Sequence, residues 1–378
     1  MSALKKVVII GGGFAGLYAI NKLSEYAYKF EITLIDKSEN SVLKPKLTSI
    51  AAGKEVENIK VEIAPILREH QSAWVNDEVV KIDEKEQIVY TKEGSYRYDY
   101  LIIASGVEYD YKSFKDSDYY SFASYDEALK LESAIANFTQ GAINIISLEN
   151  SLYEGAAIEA AFLIEQRLKD LGVKEQCTIN LITQNSEIFP EIGEKSRDLV
   201  KKELQSKEIN LIEGADLNSM QKGDLTIVLP SFKIPSFASN FANEANGVKS
   251  NEFMQVQGFQ NLFAVGDINA LSTPKLGHNA FKQADVAVNT ILKQEEIEKE
   301  VQAYEPDILA VIEVDKLEAI LIYSNVKFGK DKDFALKSIL AKELKIVFKN
   351  ALYFSLGEIP AKLDETVKKL IEKYADSK

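Results

Sequence analysis

Val7-Val8-Ile9-Ile10-Gly11-Gly12-Gly13-Phe14-Ala15-Gly16 is the stretch on which the reading of this chain turns. A short β-branched run enters G-x-G-x-x-G at Gly11, Gly13 and Gly16, and an amphipathic helix is expected from Leu17 to Tyr26. A second apolar run, Glu31-Ile32-Thr33-Leu34-Ile35-Asp36, closes on a carboxylate twenty residues past the last glycine. Each part has a physical purpose. Gly11 permits the tight turn, Gly13 lets backbone approach a pyrophosphate, and Gly16 allows close helix–strand packing. The helix N-terminus offers N–H groups and a positive dipole end to phosphates. Asp36 can accept hydrogen bonds from both hydroxyls of an adenosine ribose. The plainer reading is a glycine turn that only packs a βαβ core, but strand, helix and acid in register favour a nucleotide site.

Two downstream strands decide which dinucleotide is expected. Gln260-Asn261-Leu262-Phe263-Ala264-Val265 ends on Gly266-Asp267, and Tyr98-Asp99-Tyr100-Leu101-Ile102-Ile103 ends on Ala104-Ser105-Gly106. In this the chain resembles the two-dinucleotide-domain flavoproteins, in which the small-residue strand end passes the flavin nucleotide and the Gly-Asp aspartate bonds the ribityl chain. The resemblance implies FAD at the first site. It implies contacts from Gly11, Gly13, Phe14, Ala15, Gly16, Asp36 and Lys37, then from Pro45, Val79, Val80, Ala104, Ser105 and Gly106, and finally from Gly266, Asp267, Lys275 and Gly277.

Composition bounds the alternatives. The 378 residues can bury large cores, and 46% hydrophobic with 27% charged residues is a globular balance. A net charge of −13 argues against nucleic acid as a general partner, because phosphate binding needs a basic face. No apolar run approaches a spanning helix, and the first strand follows the N-terminus so closely that no signal peptide is expected. Cys177 is the single cysteine, which excludes an internal disulfide and suits a reducing cytosol. No residue pattern suggests a metal site.

The expected class is α/β, with two Rossmann-like dinucleotide-binding domains, one inserted in the other. A C-terminal α+β region carrying amphipathic helices completes it. Residues 1–108 and 241–300 form the discontinuous FAD-binding domain, 109–240 the second Rossmann-like domain, and 301–378 an interface or membrane-association region. Within the first part, Glu78–Asp83 and Gln87–Tyr90 look like paired strands. Residues 109–122, crowded with Tyr, Asp, Lys and Ser, read as a crossing linker. The inserted unit has strands at Ala142–Ile146 and Thr178–Ile182 around a helix from Gly155 to Leu171, and the return segment has a helix from Asn279 to Leu292.

The inserted unit lacks its own fingerprint. With Glu159 aligned on the helix glutamate of NADH-oxidising relatives, the glycine positions hold Leu152, Glu154 and Ala157. Their Cβ atoms obstruct backbone approach, and Glu154 sets a like charge beside a pyrophosphate. The next strand ends on Thr183-Gln184 with no ribose-binding acid. The run Tyr153-Glu154-Gly155-Ala156-Ala157-Ile158-Glu159-Ala160-Ala161-Phe162-Leu163-Ile164 instead resembles sulfide:quinone oxidoreductases. So do Thr273-Pro274-Lys275-Leu276-Gly277-His278-Asn279-Ala280 and the helix through Gln283 to Asn289. That family passes sulfur between two cysteines flanking the flavin. The corresponding places here, near Tyr153 and within Lys342–Phe354, contain none. Tyrosine cannot shuttle persulfide sulfur, so standard sulfide oxidation is not expected.

From Lys327 to Lys349 seven lysines face three acids, interleaved with Phe334, Leu336, Ile339, Leu340, Leu344, Val347 and Phe348. A basic amphipathic helix lying in the headgroup region, with lysine stems reaching phosphates, is the expectation. An ordinary packing or dimer helix is its rival, and Glu365–Tyr374 is a second amphipathic candidate. Lys275, Glu159 and His278 are the candidate catalytic residues. Lys275 would stabilise the reduced ring's negative charge, Glu159 would relay protons, and His278 would transfer one. Pro45 and Lys46 sit where relatives touch the isoalloxazine. His70 is expected at the surface and Trp74 in the core or a domain interface.

The resemblance therefore implies a FAD-dependent oxidoreductase passing two electrons from an unidentified small-molecule donor to a quinone. The enzyme would be cytoplasmic, peripheral on the inner face of the cell membrane, and possibly a homo-oligomer. A type II NADH:quinone dehydrogenase and a non-catalytic FAD-binding interaction protein are the alternatives.

Overall fold

The computed structural model describes residues 3–376 except 55–56, 113, 115–117, 243–246 and 272–274. In the first unit, β1 (Lys5–Ile10), α1 (Phe14–Ser24), β2 (Phe30–Asp36), β3 (Ala73–Asn76) and β4 (Tyr100–Ile103) follow in order. The inserted unit has β5 (Gly141–Ser147), α2 (Glu154–Asp170), β6 (Cys177–Thr183), β7 (Ile209–Ile212) and β8 (Leu225–Leu229). The chain then returns through β9 (Leu262–Ala264) and α3 (Gly277–Gln294). It ends with β10 (Ile308–Glu313), β11 (Ala319–Ser324), β12 (Asp333–Ser338), α4 (Ile339–Phe354) and α5 (Glu358–Asp376).

Two parallel sheets result. The first has the order β9-β4-β1-β2-β3 and the second β7-β6-β5-β8. β1 and β4 are apolar along their inner lengths because both faces are covered. The residue-108 end of the insertion and its far end meet in a two-stranded ribbon, Glu108–Asp110 against Ser231–Lys233. A three-stranded meander from Val79 to Arg97 packs beside the first sheet, and β10-β11-β12 form a third, antiparallel sheet. Aromatic residues of the crossing segment, Tyr111, Phe114 and Tyr119, cover Ile146, Leu148, Ile182 and Val228 of the second sheet.

Cys177 is buried at the start of β6, and burial pushes its thiol pKa up, which keeps it protonated and inert. Trp74 is half-buried against the core of the first unit. His70 is half-buried rather than free at the surface, with its Nδ1 2.9 Å from the Ser24 hydroxyl.

The C-terminal region departs from expectation in two ways. Part of the basic stretch is strand β12, not helix. In α4 the polarity is inverted: Lys342, Lys345 and Lys349 are buried and point inward, while Leu340 is 79% and Ile339 57% exposed. Ile346 and Val347 of the same helix are exposed as well, as is Leu336 of β12. These lysine stems therefore do not reach toward headgroups. Each finds a buried carboxylate partner inside, which is the condition for a charged group to leave water. Among the described residues no helix is long and apolar enough to cross a membrane.

Candidate functional site

β1 stops at Ile10 because Gly11 turns the chain with φ +106°, a conformation that disfavours any side chain. A Cβ there would run into the Ala104 carbonyl, and one on Gly16 into the Gly11 carbonyl, so α1 sits tightly on the strand ends. Gly13 differs, because a Cβ there would meet nothing within 4 Å. It faces an open cradle at the N-terminus of α1, the place a pyrophosphate needs. Asp36 closes β2 beside it, accepting from the Gly12 N–H at 2.6 Å and the Ser38 N–H at 2.7 Å.

From this turn a cavity of about 440 Å³ runs inward. Its walls carry Gly11, Gly13, Phe14, Ala15 and Asp36, then Ala104, Ser105 and Gly106, then Gly266 and Asp267. Pro45, Lys275 and Gly277 line it as well, so three distant strand ends and two loops converge on one space. Gly266 is held by its N–H donating to Gln283 Oε1 at 2.7 Å, and Asp267 lies 3.7 Å from the Lys44 ammonium. Lys275 donates to the Asn269 carbonyl at 2.6 Å. Burial lowers the pKa of its ammonium, against the opposing pull of Asp267. Thr273 and Pro274 of the same segment lie outside the described residues. Gly16 packs behind the turn rather than lining the cavity. Lys37, Val79 and Val80 are not on its walls: Lys37 pairs with Glu78 at 3.9 Å, Val79 is core, and Val80 is exposed. The elongated form, glycine cradle and terminal acid fit a dinucleotide with an appended ring system, and the residues present fit FAD.

The inner end is built from α2, β10 and α4. Glu159 is buried there, accepting from Thr48 Oγ1 at 2.8 Å, from the Glu313 N–H at 3.1 Å and from the Lys345 ammonium. Glu313 in turn receives Lys342 at 2.7 Å, Lys349 at 2.8 Å and Lys54 at 2.8 Å. Burial alone would raise the Glu313 carboxyl, but Lys349, Lys345 and Lys54 hold it well below the ordinary carboxylate range. Burial pushes Lys345 down to about 8, despite Glu159. Lys345, Lys349, Glu159 and Thr48 all line the cavity. Lys342, Lys345 and Lys349 belong to the basic stretch that the sequence suggested would face headgroups, and Lys54 was not singled out. The available signal was three lysines spaced along an otherwise apolar helix, which fits an inward face as well as an outward one.

Tyr153 stands at the N-terminus of α2 with its ring against Gly155 and Phe189, and it lines the cavity where a sulfur-carrying residue was sought. Burial, with Glu159 and Glu191 nearby, raises its phenol pKa far above the ordinary value, so it is a neutral hydroxyl. Glu154 is buried and turned into its own domain. It accepts from Thr183 Oγ1, from Asn185 Nδ2 at 3.0 Å and from the Phe189 N–H at 2.5 Å. The carboxylate thus ties the N-terminus of α2 to the end of β6, the strand-end region where a second dinucleotide would bind.

His278 lines the cavity near its edge, yet both ring nitrogens are engaged, Nε2 with Asp307 at 2.6 Å and Nδ1 with Asp364 at 2.9 Å. Burial opposes its charge, but Asp364 and Asp307 hold the imidazole above its ordinary pKa. Lys282 and Lys368 complete the group on Asp307 at 2.9 and 2.8 Å. The arrangement fastens α5 and β10 to the start of α3, an anchoring duty rather than the proton donor expected.

Residues 5–233 match the family model for pyridine nucleotide-disulphide oxidoreductases. The mitochondrial sulfide:quinone oxidoreductase of Dictyostelium discoideum is 25% identical over 322 residues, 76% of this chain and 70% of that protein. The sulfide-quinone reductase of Aquifex aeolicus is 26% identical over 302 residues, 71% of this chain and 69% of that one. The X-ray structure of the sulfide:quinone oxidoreductase from Aquifex aeolicus superposes with a TM-score of 0.84 at 23% identity, covering 93% of this chain and 91% of that one. With the glycine cradle, the three converging strand ends and this match over more than half its length, the chain belongs to the pyridine nucleotide-disulphide oxidoreductase family as an FAD-dependent oxidoreductase.

Proposed function

We propose that the protein passes two electrons from a small donor through FAD to a quinone drawn from a bilayer, working as a peripheral protein on the inner face of the cell membrane. One observation carries the reading. The cavity that begins at the glycine turn ends beneath α4, whose outer surface is the apolar set Ile339, Leu340, Ile346 and Val347. Exposed apolar patches of this kind mark contact surfaces, and an interfacial helix buries them at the acyl boundary. The matched proteins are named for quinone chemistry, which agrees with a lipid-soluble acceptor entering from that side.

FAD, when bound, supplies the two-electron chemistry. The chain's own residues hold and tune it. The α1 N-terminus and Gly13 receive the pyrophosphate, Asp36 the adenosine ribose, and Asp267 the ribityl chain. Lys275 places positive charge beside Asp267 at the cavity wall. Reducing a quinone to a quinol also takes two protons. Lys345, its pKa lowered to about 8, is the proton donor placed there: it hands on one ammonium proton, is reprotonated from solvent and supplies the second, while the Glu159 carboxylate holds it in place. The buried Glu154 carboxylate at the N-terminus of α2, where a dinucleotide's phosphates would lie, supports a donor other than a dinucleotide.

Vesicle co-sedimentation tests the membrane side. Leu340→Glu with Ile346→Glu should weaken binding to anionic-lipid vesicles at least tenfold, because each change sets a charge at the acyl boundary. Unchanged binding of a folded, yellow double variant would refute it.

A further inference from the structure

The inner end of the cavity holds more positive charge than its own acids neutralise. The ammonium groups of Lys54, Lys342, Lys345 and Lys349 converge on two carboxylates, Glu159 and Glu313, leaving a formal surplus of two. Lys54 is one-third exposed, while the other three lysines and both acids are buried. The next acid, Asp315, gives its carboxylate to Lys207 at 3.0 Å and offers Lys342 only its backbone carbonyl, at 2.8 Å. Lys46, also buried, donates to the Glu57 carbonyl at 3.0 Å and feels the charge of the Glu57 carboxylate, so it is not counted in the surplus. Burying an ion costs several kcal/mol even after relaxation, and a pair offsets this only when its charges match. A fold that carries an unmatched surplus against a cavity wall is built to receive the missing negative charge there.

The chamber also says what else the ligand must be. Lys345 and Lys349 line it together with the hydroxyl-bearing residues Thr48 and Tyr153, and Leu309, Val311, Leu344 and Phe348 add apolar lining. The larger anions of a dinucleotide are served by the glycine cradle at the far end, and the second domain sets the buried carboxylate of Glu154 at the N-terminus of α2. We propose that the inner chamber is a binding site for a small organic carboxylate, its head held by Lys345 and Lys349 and its body lying against Leu309, Leu344 and Phe348. The inference rests on the reading of this cavity as the redox site, and names the class of ligand that site takes besides quinone.

The test is a titration of the flavin-bound protein with butyrate and with its neutral isostere butyramide, at fixed ionic strength, followed in the visible spectrum and by equilibrium dialysis. Butyrate should bind saturably and at least tenfold more tightly than butyramide. Lys349→Met should weaken butyrate at least tenfold and leave butyramide unchanged. Equal binding of the two compounds, or no retention of butyrate, overturns the site. The comparison on the unmodified protein decides this even where the variant does not fold. Reoxidation of dithionite-reduced protein by a short-chain quinone, run in parallel, separates the two claims. Fast reoxidation without butyrate binding removes the carboxylate site alone, and butyrate binding without reoxidation removes the quinone reading alone.

Discussion

Glu159→Gln and Lys345→Met remove the two ends of one buried ion pair, and the structure predicts that they do so at unequal cost. The surrounding group of four lysines and two glutamates carries a formal charge of +2. Glu159→Gln takes it to +3 and strands the Lys345 ammonium, which keeps the Val311 carbonyl at 2.8 Å as an acceptor. Stranding a buried charge in this way costs about 3–5 kcal/mol. Lys345→Met takes the group to +1. It loses the attraction to Glu159 but also the repulsion from Lys349 and the desolvation of Lys345 itself. Glu159 still accepts from Thr48 Oγ1 at 2.8 Å and the Glu313 N–H at 3.1 Å. The net cost should be about 1 kcal/mol or less, from the partial offset of desolvation and pairing. Urea midpoints at pH 7, with saturating FAD and m-values checked for constancy, measure both variants. The gap should then narrow with pH. Lys345 has a folded pKa lowered to about 8, so between there and its unfolded value of 10.5 the unfolded chain holds more protons and stability rises. Once the ammonium is lost, Glu159→Gln no longer strands a charge. A Lys345→Met variant as unstable as Glu159→Gln at pH 7, or a gap that persists at pH 9.5, would refute the surplus-charge reasoning.

Two further outcomes are expected. Asp267→Ala should purify largely without flavin, because it removes an acceptor at the point where β9 meets the cavity; full yellow occupancy, read from the visible-to-protein absorbance ratio, would contradict that assignment. Anaerobic mixing with NADH should leave the flavin spectrum unbleached on the time scale of seconds, since Glu154 already bonds Thr183, Asn185 and the Phe189 N–H. Rapid bleaching would show that a dinucleotide finds another path.

The first βαβ unit was legible because all its determinants are local. Gly11, Gly13 and Gly16 lie within six residues, and the acid that closes the next strand follows at Asp36. A steric requirement at a turn writes itself into residue type, and so does the alternation of buried strands. Sequence order was enough to bring Gly266-Asp267 and Ala104-Ser105-Gly106 toward that turn, since parallel strands deliver their ends to one edge. The absence of a second fingerprint was equally visible in Leu152, Glu154 and Ala157.

What the tertiary structure alone decided is the direction of charge. Periodicity in Ile339–Phe354 shows two faces but carries no sign for which is inward, and lysine's surface preference pointed the wrong way. The faces are assigned by partners far along the chain: Glu159 is 186 residues from Lys345, and Glu313 is 36 from Lys349. The same holds for His278, whose nitrogens are claimed by Asp307 and Asp364 rather than left for proton transfer. A buried charge is stable only beside its counterpart, and no local pattern records where that counterpart will be.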